Sequence, residues 1–271
     1  MNAAAMDASP ILPGAVGTGQ PASAAPVNFS VGLAQMLAMY SADAYTEANI
    51  HDPHTNAEAQ VTLFRDSSGF KIIVAFTGSH TTKDFIQDAK FEMRRLGYST
   101  AMNPAYVHAG FLEDAAIDAR VTLEVRNLLA VHPDGQVFVT GHSLGGAIAL
   151  LCAVELRRSG IQVAGVYTFG QPRVGNSAWA AMYEQALGDR TFRVVNENDI
   201  VPRTPGVLMG YRHCGNEVLL LPWHSYAVNT GWFTKLMSDA SGLYEVYKLR
   251  KDVLILDHFI AAYQAALVRL K

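Results

Sequence analysis

Val137-Phe138-Val139-Thr140-Gly141-His142-Ser143-Leu144-Gly145-Gly146-Ala147 is the stretch on which the reading of this chain turns. Residues of high strand propensity run into Gly-x-Ser-x-Gly, and the Ala- and Leu-rich run from Ala147 to Leu156 reads as a helix. Strand, turn and helix in that order put Ser143 at the tip of a tight turn. A serine there is forced into a strained backbone conformation, and a side chain two residues to either side would meet the neighbouring strand and helix. Gly141 and Gly145 remove those side chains. The bare pattern also arises by chance in loops, but a surface loop lacks the flanking strand and helix, so Ser143 is the candidate nucleophile. The helix that follows has unpaired N–H groups at its start, suited to a developing negative oxygen, and Leu144 supplies one of them.

The composition fits this reading. The chain has 271 residues, half of them apolar, with 24 acidic and 21 basic residues and a net charge of −3. That suffices for the core of one large globular domain and offers no basic surplus for nucleic acid. The first 28 residues, rich in Ala, Pro, Gly and Ser, carry no basic residue and no continuous apolar core. They read as a flexible arm before a single domain at 29–271, and not as a secretory signal. No apolar run has the length of a transmembrane segment, so lipid contact would be transient and at the interface. The two cysteines are too few for a disulfide framework; Cys152 falls on the helix after Ser143 and Cys214 near a turn, so two separate thiols are expected. A cytoplasmic site is favoured, although a secreted mature form would read the same.

Leu33, Met36, Leu37 and Tyr40 recur at helical spacing between Val31 and Ala48. His51 and His54 lie in a Pro-containing loop and read as solvated side chains, not metal ligands. Val61–Arg65 and Phe70–Phe76 read as antiparallel strands joined by Asp66-Ser67-Ser68-Gly69. The second strand exits into Thr77-Gly78-Ser79. When a nucleophile elbow is present, the loop after such an early strand supplies the second oxyanion donor, which makes Ser79 the candidate, by N–H and hydroxyl. Thr82–Ala89 is amphipathic, with Phe85, Ile86 and Ala89 opposite Lys83, Asp84, Gln87 and Asp88; it reads either as a surface helix or as a lid. Phe91 and Met93 alternate with charged residues, as in a strand. His108 precedes Ser143 in the chain and is read as structural. Ile117, Val121, Val125 and Leu128 form the apolar stripe of a helix from about Glu113 to Val131.

After the elbow, a strand at Val163–Phe169, a turn at Gly170–Asn176 and a helix at Ser177–Leu187 imply an α/β fold, a mostly parallel central sheet flanked by helices. The next strand, Thr191–Val195, ends in Asn196-Glu197-Asn198-Asp199. An acid at the carboxyl end of a sheet strand, after the nucleophile in sequence, is placed to orient a base: Asp199, with Glu197 as fallback. Three histidines follow, His213, His224 and His258. His258 is preferred over His224 because the helix read from Phe259 to Leu270 would hold it in one orientation.

Gly141-His142-Ser143-Leu144-Gly145-Gly146, the Gly-Gln-Pro-Arg-Val-Gly run at Gly170–Gly175, Asn196–Pro202 and Asp257-His258 together resemble the class 3 (fungal-type) lipase family, across about Phe70 to Tyr263. The resemblance implies an α/β-hydrolase fold with a short lid helix, hydrolysis of acylglycerol esters, and no metal or cofactor. It assigns Ser143 as nucleophile, Asp199 as acid, His258 as base, and Ser79 with Leu144 as oxyanion hole; the amphipathic segment Thr82–Ala89 supplies the lid, with Phe85 and Ile86 on its apolar side. Two departures stand out. Thr77 occupies the place where the family commonly has Arg, and two cysteines do not support the disulfides of secreted members. A feruloyl-type esterase on the same architecture is the alternative enzyme; a non-catalytic binding protein would usually have lost a triad member. Ser79→Ala keeps the N–H and removes only the hydroxyl, so kcat on a soluble ester should fall by about 10² to 10³; an unchanged kcat would point the hydroxyl elsewhere.

Overall fold

Neighbouring residues of the central strands face opposite sides of one sheet, and that alternation builds two cores. The computed structural model describes residues 28–52, 57–78, 92–196, 199–221, 225–229 and 256–270. Helix α1 (Val31–Glu47) precedes strands β1 (Ile50–His51), β2 (Glu58–Asp66), β3 (Gly69–Phe76), β4 (Met93–Arg95) and β5 (Tyr106–His108). Helices α2 (Ala109–Asp114) and α3 (Asp118–Val131) lead to β6 (Gln136–His142), α4 (Leu144–Arg158), β7 (Val163–Phe169), β8 (Gly175–Asn176) and α5 (Ser177–Leu187). Strands β9 (Thr191–Asn196), β10 (Tyr211–Arg212), β11 (Asn216–Leu221) and β12 (Ser225–Val228) precede helix α6 (Ile260–Val268).

The described residues form an eight-stranded sheet in the order β1-β2-β3-β6-β7-β9-β11-β12. From β3 to β11 the pairs are parallel. Antiparallel strands close both edges, β1 and β2 on one side and β12 on the other. A smaller antiparallel sheet, β10-β8-β5-β4, stands apart. Ile72, Val74, Phe76, Val137 and Val139 join the core under α2 to α5, whereas Ile73, Phe138, Tyr167, Phe169 and Val194 join the core under α1 and α6. This is the period of two expected of strands buried on both faces. Helix α4 lies on β6 and β7 and is flanked by α2, α3 and α5. Enclosure on every side explains why it is apolar all round, with Gly145 to Val154 and Leu156 buried.

Strands, hairpin and helices fall close to where the sequence put them, with three adjustments. The elbow helix begins at Leu144 rather than Ala147. The helix read as Glu113–Val131 starts earlier and is broken by a 3₁₀ turn at Ala115–Ile117. The early start has a cap: His108 Nδ1 accepts the N–H of Phe111 at 3.4 Å, and the ring stacks on Phe111 with centroids 4.1 Å apart. His51 belongs to an edge strand rather than a loop and pairs with Glu58 at 3.0 Å. His54, Phe91, the segment 82–89 and nearly all of the N-terminal 28 residues lie outside the described residues. Cys152 and Cys214 are both buried and are not joined in a disulfide, as expected of two separate thiols.

At the elbow, a Cβ on Gly141 would lie 2.3 Å from the Gly145 carbonyl oxygen, and one on Gly145 would lie 2.3 Å from that of Phe76 and 2.7 Å from that of Thr77. Backbone on both sides leaves no flexible atom to give way. Gly145→Ala should therefore cost at least about 1 to 3 kcal/mol, the range of overpacked core sites, while Gly97→Ala, with open space around it, should stay within about 0.5 kcal/mol. Chemical denaturation compares the two; equal midpoints would contradict this account.

Candidate active site

Strand β6 delivers Ser143 to the turn with φ 58° and ψ −126°. Its N–H donates to the Phe169 carbonyl at the end of β7 at 2.9 Å, and its carbonyl accepts from Gly146 N–H at 3.0 Å. The positive φ is the strained conformation expected of the nucleophile position. It aims Oγ at His258, whose Nε2 lies 2.8 Å away, although the two residues are 115 apart in sequence. His258 Nδ1 lies 2.8 Å from Asp199 Oδ2. A carboxylate only accepts, so Nδ1 carries the proton and Nε2 presents its lone pair to the serine hydroxyl. Asp199 and His258 are both fully buried.

A buried carboxylate needs donors, and Asp199 has several. Val201 N–H donates to Oδ1 at 2.9 Å, and the Tyr263 hydroxyl donates to Oδ2 at 2.5 Å. The same hydroxyl accepts the N–H of Asn196, at the end of β9, at 3.1 Å. Burial, then the charge of Asp199, push the Tyr263 phenol well above its usual range, so it remains a donor. Asn196 Nδ2 donates to the Asp257 carbonyl at 3.2 Å, which ties β9 to the residue before the base. Gly170 leaves room for the pair: a Cβ there would lie 2.8 Å from Asp199 Oδ2 and 2.9 Å from the His258 ring. Arg173, from the Gly-Gln-Pro-Arg run, is buried and donates to the carbonyls of Arg203 and Pro205, the latter at 2.9 Å. It holds the segment that follows Asp199.

Of the residues selected from sequence, Ser143, His258 and Asp199 come together, with Leu144 heading α4 beside them. Ser79, Phe85, Ile86, Glu197 and His224 lie outside the described residues. His213 is engaged elsewhere, its Nε2 donating to the Pro202 carbonyl at 2.6 Å. Thr77, which stands in the place of the family's Arg, is anchored on Glu58: its N–H and hydroxyl both donate to that carbonyl, at 3.1 and 3.2 Å. Tyr263 was not singled out from sequence, and Gly170 entered only as the head of the Gly-Gln-Pro-Arg run, not as a neighbour of Asp199 and His258. Tyr263 occupies an apolar position of a helix, where an aromatic reads as core. The serine–histidine–carboxylate line can move a proton from a hydroxyl to a base and hold the resulting imidazolium, which is what acyl transfer requires.

The sequence matches the class 3 lipase family over residues 73–209. It is 38% identical over 158 residues to a lipase of Rhizomucor miehei, a match covering 56% of this chain and 42% of that protein. It is 35% identical over 156 residues to the secreted mono- and diacylglycerol lipase 1 of Fusarium solani, covering 57% and 45%. The chain thus spans less than half the length of these relatives. Among solved structures, the triacylglyceride lipase of Rhizomucor miehei superposes with a TM-score of 0.62 at 28% identity, over 70% of this chain and 80% of that one.

Tyr263→Phe deletes one donor to a buried carboxylate and leaves the packing in place. A hydrogen bond to a charged group is worth about 1.5 to 3 kcal/mol, so kcat on a soluble ester should drop about 10- to 100-fold with little change in KM. An unaltered kcat would make the tyrosine a packing residue only.

Proposed function

We propose that this chain, which belongs to the class 3 lipase family, hydrolyses acylglycerol esters through Ser143, His258 and Asp199. The observation that carries the reading is the unbroken buried line from Ser143 Oγ through His258 to Asp199, each link 2.8 Å. His258 Nε2 takes the proton of Ser143 as Oγ attacks the ester carbonyl. The negative oxygen is received by the N–H of Leu144, at the start of α4, and by Ser79. The imidazolium returns its proton to the departing alcohol, and water activated by the same nitrogen cleaves the acyl-enzyme. Asp199 holds the tautomer and balances the imidazolium without taking the proton.

Glycerides are the preferred substrate class because the relatives are named as lipases and as a mono- and diacylglycerol lipase. A feruloyl-type esterase would use the same line with a different acyl pocket. No helix among the described residues is long and apolar enough to cross a membrane. Contact with lipid is therefore proposed at an interface, with Phe85 and Ile86 as the apolar side of a lid. On compartment, the relative named as secreted favours export over the cytoplasmic placement read from composition, and two buried thiols outside any disulfide suit either side of a membrane.

A fluorophosphonate probe should label Ser143, and Ser143→Ala should lower tributyrin hydrolysis by about 10⁶. The parent should turn over tributyrin faster than methyl ferulate, with a rate that rises again once tributyrin passes its solubility limit. Labelling elsewhere would sink the nucleophile assignment, a preference for the ferulate would sink the substrate class, and a smooth saturation curve would sink the lid.

A further inference from the structure

His142 stands next to the nucleophile, is buried, and has no part in the proton relay just described. Its Nε2 lies 2.5 Å from the backbone carbonyl oxygen of His258, and its Nδ1 lies 3.0 Å from the hydroxyl of Tyr45 on α1. A carbonyl oxygen only accepts, so Nε2 bears the proton. Burial, then the neighbouring His258 imidazole, push the His142 pKa down to about 3, so the ring carries that one proton and Nδ1 is an acceptor. Tyr45 therefore donates to Nδ1. Its hydroxyl, pushed up to about 12 by burial, in turn receives the N–H of Gly78. Gly78 is packed against this group: a Cβ on it would fall 2.2 Å from the Tyr45 oxygen, 2.8 Å from the His142 carbonyl and 3.3 Å from Ser143 Cβ.

We infer that His142 is a positioning residue, which through the line Gly78 N–H, Tyr45 O–H, His142 imidazole, His258 C=O fixes the entry to the oxyanion loop and the segment bearing the base at a set separation across Ser143. The inference rests on the triad reading above, because it takes His258 as base. A ring that merely filled space would be as well served by Leu; this one uses both nitrogens, in opposite senses, on two segments far apart in sequence. His142 does not compete for the serine proton, since its unprotonated nitrogen, Nδ1, already accepts from the Tyr45 hydroxyl. Its ring centroid lies 4.7 Å from that of His258. A cation there would oppose the imidazolium that forms in the reaction, and a neutral ring with its proton committed to a carbonyl does not. What each link sets is geometry, and a misplacement of about 1 Å at reacting groups is enough to cost about 10² in rate.

The test is a set of variants assayed on a soluble ester. His142→Leu should lower kcat by at least about 10² with KM within about threefold. His142→Gln, which keeps an N–H in reach of the His258 carbonyl and gives up the link to Tyr45, should return kcat to within about tenfold of the parent, in the range of a lost hydrogen bond. Tyr45→Phe alone should cost about tenfold, and should add less than about twofold in either His142 background, because residues on one line are not additive. Glutamine no better than leucine, a loss confined to KM, or a Tyr45→Phe cost that multiplies in full would each overturn the inference. Should His142→Leu not fold by circular dichroism, the His142→Gln and Tyr45→Phe pair decides by the same non-additivity. Ser143→Ala and His258→Ala belong in the same set: if they stay active, the triad reading itself fails, whereas inactive triad variants beside a fully active His142→Leu overturn this inference alone.

Discussion

At Ser143 the chain adopts φ 58° and ψ −126°, a backbone state that costs a non-glycine residue about 1 to 3 kcal/mol. Nothing local would hold it there, and much of the fold can be understood as the apparatus that does. Strand β6 is locked between parallel neighbours on both sides, and α4 is enclosed by the sheet and three helices. Between two elements so fixed, the connecting residue has no freedom to relax. The close approach that Gly141 and Gly145 permit brings the end of β3, the turn and the first residues of α4 into backbone contact. Strain at one residue is thus sustained by burial summed over many.

The second demand comes from burying ionisable groups. Asp199 and His258 are withdrawn from water, and a buried charge is tolerated only when its partners are complete. The donors around Asp199 come from different places: a backbone N–H two residues on, a tyrosine on α6, and the imidazole itself. Around His258 the ring is used at both nitrogens and its backbone carbonyl at a third point. Such a site is rigid because every polar atom in it is committed, so reorientation of one group would strand another.

What could be read from sequence follows the range of the forces involved. Strand alternation, the Gly spacing at the elbow and the apolar stripes are local, and they located the sheet, α4 and Ser143. Asp199 and His258 followed from chain order and from the elements expected beside them. The residues not anticipated are those whose role depends on contacts distant in sequence. Tyr263 sits where helical periodicity calls for an apolar residue, and only the fold shows its hydroxyl between Asn196 and Asp199. His142 occupies an x of Gly-x-Ser-x-Gly, a position the motif leaves open, and its partners lie 97 and 116 residues away. The cap of α2 was missed because the apolar stripe begins at Ile117, eight residues into the helical segment that His108 starts.

Helix α6 has nine residues and is seated by Tyr263, Leu267 and Leu270 against the core shared with α1, with Gln35 and Gln264 bridging the two helices. Burial of those side chains is worth about 1.5 to 3 kcal/mol each when complete. Short helices seated by a few side chains generally open locally at lower cost than central strands. Release of α6 would withdraw the partner of Asp199 and loosen the segment carrying His258 in one event. Heat inactivation would then set in below the melting of the sheet and reverse on cooling, with amide exchange in α6 fast while that of β6 and β7 stays slow.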